Sequence, residues 1–454
     1  MANFAKPSAP RFDVEVYQNE YLPEGGRDVS AIVTVTSTGG GSVARTGAGS
    51  AGAAGAAGPS GGSAVVIMVD CSGSMDYPPE KMRNAREATA AAVDTLRDGT
   101  SFAVIAGTHV ARDVYPGGGR LAVAGPETRS AAKEALRRLS AGGGTAIGTW
   151  LRLAESLFAG TDGAAIRHGI LLTDGRNEHE TPEALAAALE HCAGRFTCDA
   201  RGVGTDWEVK EVTGIAEALL GRADIVADPA GLRADFTAMM ARAMDKEVGD
   251  VALRLWTPVG AEVLFVKQVA PSVVDLTDRR TEAGPRAGDY PTGSWGDESR
   301  DYHVGVRVPG AGIGQEMLAA RASLVAPAPA GEGAGPVVLS QGLVRAVWTD
   351  DLAASTAINP QVAHYTGQAE LARAIQQGLE ARKSGDFDGA TAKLGRAVQL
   401  ASASGNEDTA KLLAKVVDVV DAATGTVRLK AKVTDADEMT LETRSTQTVR
   451  VKKS

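Results

Sequence analysis

The chain is short of several things that would point to familiar functions. Three of its 454 residues are cysteine, at Cys71, Cys192 and Cys198. So sparse and odd a count offers no disulfide framework and suits a reducing compartment. Cys192 and Cys198 could pair on spacing alone, but free thiols are the expectation. Aromatic residues make up only 4%, so cores of Ala, Val and Leu are expected. Positive charge is not in excess: 47 Lys and Arg against 56 Asp and Glu leave a formal net charge of −9. That is the wrong sign for a phosphate backbone, so nucleic acid is not an expected partner. No apolar run approaches the roughly 18 residues of a membrane span. The opening "MANFAKPSAPRFDV" lacks the apolar core of a signal peptide. The expectation is therefore a cytoplasmic protein.

Catalytic signatures are scarce too. There is no G-x-S-x-G elbow, no G-x-x-x-x-G-K-[ST] phosphate loop and no hydrolytic triad that can be placed. His109, His168, His179 and His191 show neither metal-type spacing nor an evident nucleophile beside them.

What is present divides into regions. Residues 1–37 carry two alternating apolar stretches, "FDVEVY" and "SAIVTVT", separated by a Pro/Gly turn. Residues 38–63 are nearly all Gly, Ala and Ser and read as a disordered loop. From 64 to 246, short apolar runs alternate with helical patterns, which predicts a doubly wound, mainly parallel, Rossmann-like α/β sheet covered on both faces. Residues 247–355 return to strands and read as an all-β sandwich. The first two strands have no helical partners, so they are expected to join that sandwich, with the α/β domain inserted into it. Residues 356–425 have helical periodicity with Gly stops and read as a helical hairpin or bundle, and 426–454 as a terminal β-hairpin or tail.

The segment "VVIMVDCSGSMD" carries the chemistry. An apolar strand ends in Asp70, followed by Ser72 and Ser74 around Gly73. Ligands of open parallel sheets bind at the carboxyl ends of the strands. Two further segments bring oxygen to that edge: Thr145 in "GGGTAIG" and Asp174 in "ILLTDG". Two carboxylates and three hydroxyls suit a hard divalent cation. On an extended segment Asp70, Ser72 and Ser74 would share one face and Cys71 would point into the core.

This D-x-S-x-S triplet, with a threonine after glycine and an aspartate before glycine downstream, resembles the von Willebrand factor A (VWA) domain and its metal-ion-dependent adhesion site. The resemblance implies that Ser72 and Ser74 bind the metal directly and that Thr145 joins when ligand is bound. Asp70 is then the triplet acid, and Asp174 acts through water. It implies Mg²⁺, with Mn²⁺ or Ca²⁺ as alternatives, and one open coordination position completed by an Asp or Glu of a partner protein. Asp76, Tyr77, Arg176, Asn177 and Glu178 are expected to form the rim around it. The chain looks like bacterial cytosolic VWA proteins, whose partners include AAA+ ATPases and kinase or phosphatase signalling modules. The expected function is a non-enzymatic adaptor. The alternatives are a metal-dependent hydrolase or phosphatase, and a surface adhesion protein.

Overall fold

A computed structural model describes residues 10–38, 62–161, 165–328 and 335–450. Most of the Gly/Ala/Ser loop and the first nine residues lie outside the described residues. The chain forms two compact units. One holds Thr38–Asp250 with Gly293–Asp297; the other holds Arg11–Ser37, Val251–Thr292 and Glu298–Ser454.

Three strands come first, β1 (Arg11–Asn19), β2 (Tyr21–Leu22) and β3 (Asp28–Thr38), and they build the second unit. The first unit begins with β4 (Ser63–Asp70) and continues through β5 (Ser101–Gly107), β6 (Arg112–Tyr115), β7 (Ala122–Val123), β8 (Ile166–Thr173), β9 (Thr197–Val203) and β10 (Ala223–Val226). Its sheet order is β10-β9-β8-β4-β5-β6, with β7 also on β5. The five strands from β10 to β5 run parallel, while β6 and β7 are antiparallel to β5. β4 is central, paired to β5 on one side and β8 on the other. The chain leaves β4 toward β5 and later resumes on the opposite side at β8. This is a switch in strand order, where a crevice opens at the carboxyl ends.

The residues of β4 explain its position. Every residue from Ala64 to Asp70 is buried, as a strand covered on both faces requires. Val65, Ile67 and Val69 point into a core shared with α1 (Glu80–Thr95), α2 (Pro126–Arg137) and α6 (Leu232–Met244). α3 (Ile147–Ala159) packs on β4 and β5, with α4 (Pro182–Cys192) beside it; α5 (Val209–Ala218) packs on β9 and β10. Gly107 ends β5 because nothing larger fits: a Cβ there would lie 2.3 Å from the Trp150 ring. That ring's Nε1 donates to the Thr108 carbonyl at 2.6 Å, fixing the start of α3 against the β5 exit.

The second unit adds most of β11 (Val248–Trp256), β12 (Glu262–Ala270), β13 (Val274–Asp275), β14 (Thr281–Glu282), most of β15 (Ala287–Trp295), β16 (Glu298–Arg307), β17 (Glu316–Ala326) and β18 (Val337–Trp348). They form two sheets, β1-β3-β16-β12-β13 and β14-β15-β11-β17-β18-β2. β3 pairs antiparallel with β16 from Asp28–Arg307 to Ser37–Glu298. A buried carboxylate on β16, Asp301, accepts from Thr34 Oγ1 at 2.6 Å, Tyr365 OH at 2.5 Å and Arg450 Nε at 2.8 Å.

The C-terminal part holds α7 (Leu352–Thr356), α8 (Pro360–Lys383), α9 (Phe387–Ser404), α10 (Glu407–Val416), β19 (Val417–Asp421), β20 (Thr426–Leu429) and α11 (Asp435–Arg444). It belongs to the same unit as the sandwich and is not a separate one. Two expectations fail here. The segment "VDVVD", read as helix, is strand β19, because its β-branched residues suit a strand and Gly425 (φ 70°) turns the chain into β20. Residues 426–454, read as a terminal β-hairpin or tail, contain, besides strand β20, helix α11. Thr434 caps it by accepting from the Asp437 amide, and three acids occupy its first turn. Among the described residues no helix is long and apolar enough to cross a membrane.

Candidate functional site

The site is built where β4 ends. Ser72 is extended (φ −67°, ψ 170°), but Gly73–Asp76 is a single 3-10 turn. This corrects the expectation of a continuous extended segment: the turn, not strand alternation, brings Ser74 Oγ to 2.9 Å from Ser72 Oγ. Two backbone bonds dock the next loop: Gly73 N to Gly143 O at 2.9 Å and Gly142 N to Cys71 O at 2.8 Å. That docking carries Thr145 in, where its amide donates to His179 Nδ1 at 3.2 Å and its carbonyl accepts from His179 N at 2.9 Å.

The third loop follows β8. Ser74 Oγ donates to Asp174 Oδ1 at 2.7 Å. Its proton is thereby committed, so Ser72 donates in the contact between the two serines. Gly175 marks where the hydroxyls converge. A Cβ on it would stand 2.9 Å from Ser74 Oγ, 3.5 Å from Thr145 Oγ1 and 3.8 Å from Ser72 Oγ. Asp70 lies beneath, fully buried, with Oδ1 accepting from Ser72 N at 2.8 Å and Oδ2 from Thr173 Oγ1 at 2.7 Å and Asp174 N at 3.4 Å. Burial pushes its carboxyl up to about 6, with the Asp174 charge adding to the rise and the Ser72 and Thr173 hydrogen bonds opposing it. The five residues singled out as ligands thus meet at one place.

These residues fit a hard cation. Neighbouring ligands of an octahedron with bonds of about 2.1 Å lie about 3.0 Å apart. The two direct-ligand hydroxyls, Ser72 Oγ and Ser74 Oγ, stand 2.9 Å apart, a separation that two adjacent ligands of such an ion could keep. Among the described residues no three His, Cys, Asp or Glu side chains gather to hold a metal. A metal here would therefore depend on the hydroxyls, a donor set for hard ions rather than soft ones.

Cys71 turns into the hydrophobic core, as alternation suggests, and burial pushes its thiol up to about 12. Cys192 and Cys198 are buried and unpaired. Of the expected rim, Asp76, Arg176 and Glu178 are exposed, and Tyr77 is 83% exposed. Arg176 pairs with Glu208 at 3.2 Å. Asn177 does not belong to that rim. It is 8% exposed; its Oδ1 accepts from Ile147 N at 2.8 Å and its Nδ2 donates to Glu180 Oε1 at 2.7 Å, so it caps α3 from outside the helix.

Sequence reasoning missed two members. Thr173 is indistinguishable in sequence from any strand threonine, yet it holds Asp70. Lys81 Nζ lies 2.7 Å from Asp174 Oδ2, 3.2 Å from Asp206 Oδ2 and 3.5 Å from the Ser74 carbonyl. One signal could have found it: Lys81 is the second residue of α1, where the helix dipole disfavours a cation unless an acid compensates it.

A profile of the von Willebrand factor type A domain matches residues 63–225, and one of the von Willebrand factor type A C-terminal domain matches 399–445. The solved structure of a von Willebrand factor type A protein from Catenulispora acidiphila is 52% identical, spans 97% of this chain and 98% of that one, and superposes with a TM-score of 0.89. The chain belongs to the von Willebrand factor type A family. The ArnB paralog VWA2 from Sulfolobus acidocaldarius, 16% identical over 95% of this chain and 98% of that one, shares the VWA fold at a TM-score of 0.59. An uncharacterized protein from Synechocystis sp. is 28% identical over 217 residues, 46% of this chain and 49% of that protein. The chain thus spans about half the length of this curated relative. VWA domains typically mediate protein interactions or adhesion, and commonly bind a metal at the strand-end site.

Proposed function

We propose that this VWA protein is a non-enzymatic, intracellular adaptor whose strand-end site holds Mg²⁺ and grips an acidic residue of a partner protein. The observation that carries this reading is the meeting of the Ser72, Ser74 and Thr145 hydroxyls around Gly175, with Asp174 bonded to Ser74. When bound, the ion supplies a Lewis-acidic position for an incoming carboxylate. Ser72, Ser74 and Thr145 offer neutral oxygens, so the ion keeps much of its charge for that carboxylate. Asp70 holds the loop in shape through the Ser72 amide and the Thr173 hydroxyl. Exposed Asp76, Tyr77, Arg176 and Glu178 would touch the partner around the acid.

A binding role suits the site better than hydrolysis. Both oxygens of Asp70 accept hydrogen bonds and Asp174 is shared between Ser74 and Lys81, so neither acid stands free as nucleophile or general base. His109 and His179 each receive a backbone amide on Nδ1. The cytoplasmic placement is supported by three buried, unpaired cysteines. An AAA+ ATPase or a kinase or phosphatase module is the class of partner proposed.

The test is affinity purification of partners with Mg²⁺ and with EDTA, using wild type and Ser72→Ala. Partners lost in EDTA and in the variant are expected. Partners retained equally under all conditions would sink the reading.

A further inference from the structure

Lys81 is an odd residue to find where it is. Its side chain is 8% exposed and begins in the first turn of α1, where the helix's positive end opposes it. Its ammonium contacts one oxygen of Asp174 while Ser74 contacts the other. Asp174 is fully buried, whereas Asp206, the second carboxylate on the ammonium, is 70% exposed. The lysine therefore already neutralises one of the two acids that the metal reading assigns to the ion.

We infer that Lys81 is a tethered counter-ion of the site, competing with a divalent cation for Asp174 and lowering its affinity. This rests on the metal reading above. Asp70 and Asp174 together offer two negative charges, and Lys81 returns one of them. A divalent ion entering beside Ser74 meets a site only half compensated for it, with a fixed positive charge close by in surroundings that screen poorly. An arriving carboxylate restores the balance, so ion and acidic ligand favour each other's binding. Asp206 tempers the effect by sharing the ammonium. Removing Asp206 leaves that charge more fully directed at the site.

The two residues therefore predict opposite signs. In calorimetric titrations of the full chain with Mn²⁺ alone at neutral pH, Lys81→Met binds at least about tenfold more tightly than wild type (1.4 kcal/mol). Asp206→Asn binds more weakly. A purely structural role for Lys81 would weaken binding on its removal. Lys81→Met at or below wild-type affinity therefore overturns the inference. If Lys81→Met does not fold by circular dichroism, the exposed Asp206→Asn decides, and unchanged or tighter binding overturns the inference. Asp70→Ala separates the two readings. If it binds Mn²⁺ as wild type does, the metal site itself is wrong. If it loses Mn²⁺ while Lys81→Met fails to tighten, only the counter-ion role is wrong.

Discussion

Gly175→Ala is the sharpest perturbation of the site, because it adds one methyl group where the hydroxyls meet. The backbone at Gly175 does not have the positive φ that would exclude alanine, so strain of the main chain is not the issue. The new Cβ would stand 2.9 Å from Ser74 Oγ, closer than carbon and oxygen tolerate, and 3.5 Å from Thr145 Oγ1. Ser74 is on the surface and can rotate outward, which removes its 2.7 Å bond to Asp174. A hydrogen bond to a charged group contributes about 1.5–3 kcal/mol. Replacing glycine by alanine returns about 0.4–1 kcal/mol through the unfolded chain. The net expectation is a loss of roughly 1–2 kcal/mol of stability in the α/β unit, which leaves the fold intact. Mg²⁺ affinity should suffer more, falling at least about tenfold, since one hydroxyl ligand is withdrawn and the space beside it filled. Urea unfolding followed by tryptophan fluorescence measures the first quantity and isothermal titration the second. Wild-type Mg²⁺ affinity in a folded Gly175→Ala protein would refute the convergence of the three loops on one ion.

Two further outcomes follow from the geometry. Asn177→Ala should cost about 1–2 kcal/mol in urea unfolding through loss of the cap on α3; a neutral result would return Asn177 to the partner-facing rim. In EDTA-treated protein, Asp70, raised from 3.8 to about 6, takes up its proton more readily folded than unfolded. Its contribution to stability is then greatest below pH 4 and declines as pH rises through 6. The stability of wild type relative to Asp70→Ala should drop by about 2 kcal/mol between pH 4 and pH 7, and a rise over that interval would contradict the burial described here.

The parts of this molecule that were legible in the sequence are those where residue type alone dictates geometry. A run such as Val65–Val69 can hardly be other than a central strand, and oxygen donors just past its end have one edge of the sheet to occupy. What was hidden depends on partners distant in sequence. Asn177 looks like a surface residue among charged neighbours until α3, starting 30 positions earlier, presents an uncapped amide to it. Lys81 looks solvated until Asp174 is seen 93 positions away. β15 is hard to read from sequence because "AGDYPTGSW" carries Gly and Pro where strands seldom do. In the C-terminal part, "KLLAKVVDVVD" is apolar at helical and strand periods alike, and the turn at Gly425, not periodicity, decides where α10 ends.

The position of Asp301 bears on how such a chain comes into being. Its carboxylate joins Thr34, made long before it, to Tyr365 and Arg450, made after it. Strand β3 lies between β1 and β16, and its β16 edge stays unpaired until the whole α/β insert has left the ribosome. Synthesis therefore presents the insert with its neighbours in hand first, while the sandwich spends much of translation as an unsatisfied edge. Early segments of the sandwich are the ones that most need shielding by chaperones during that interval.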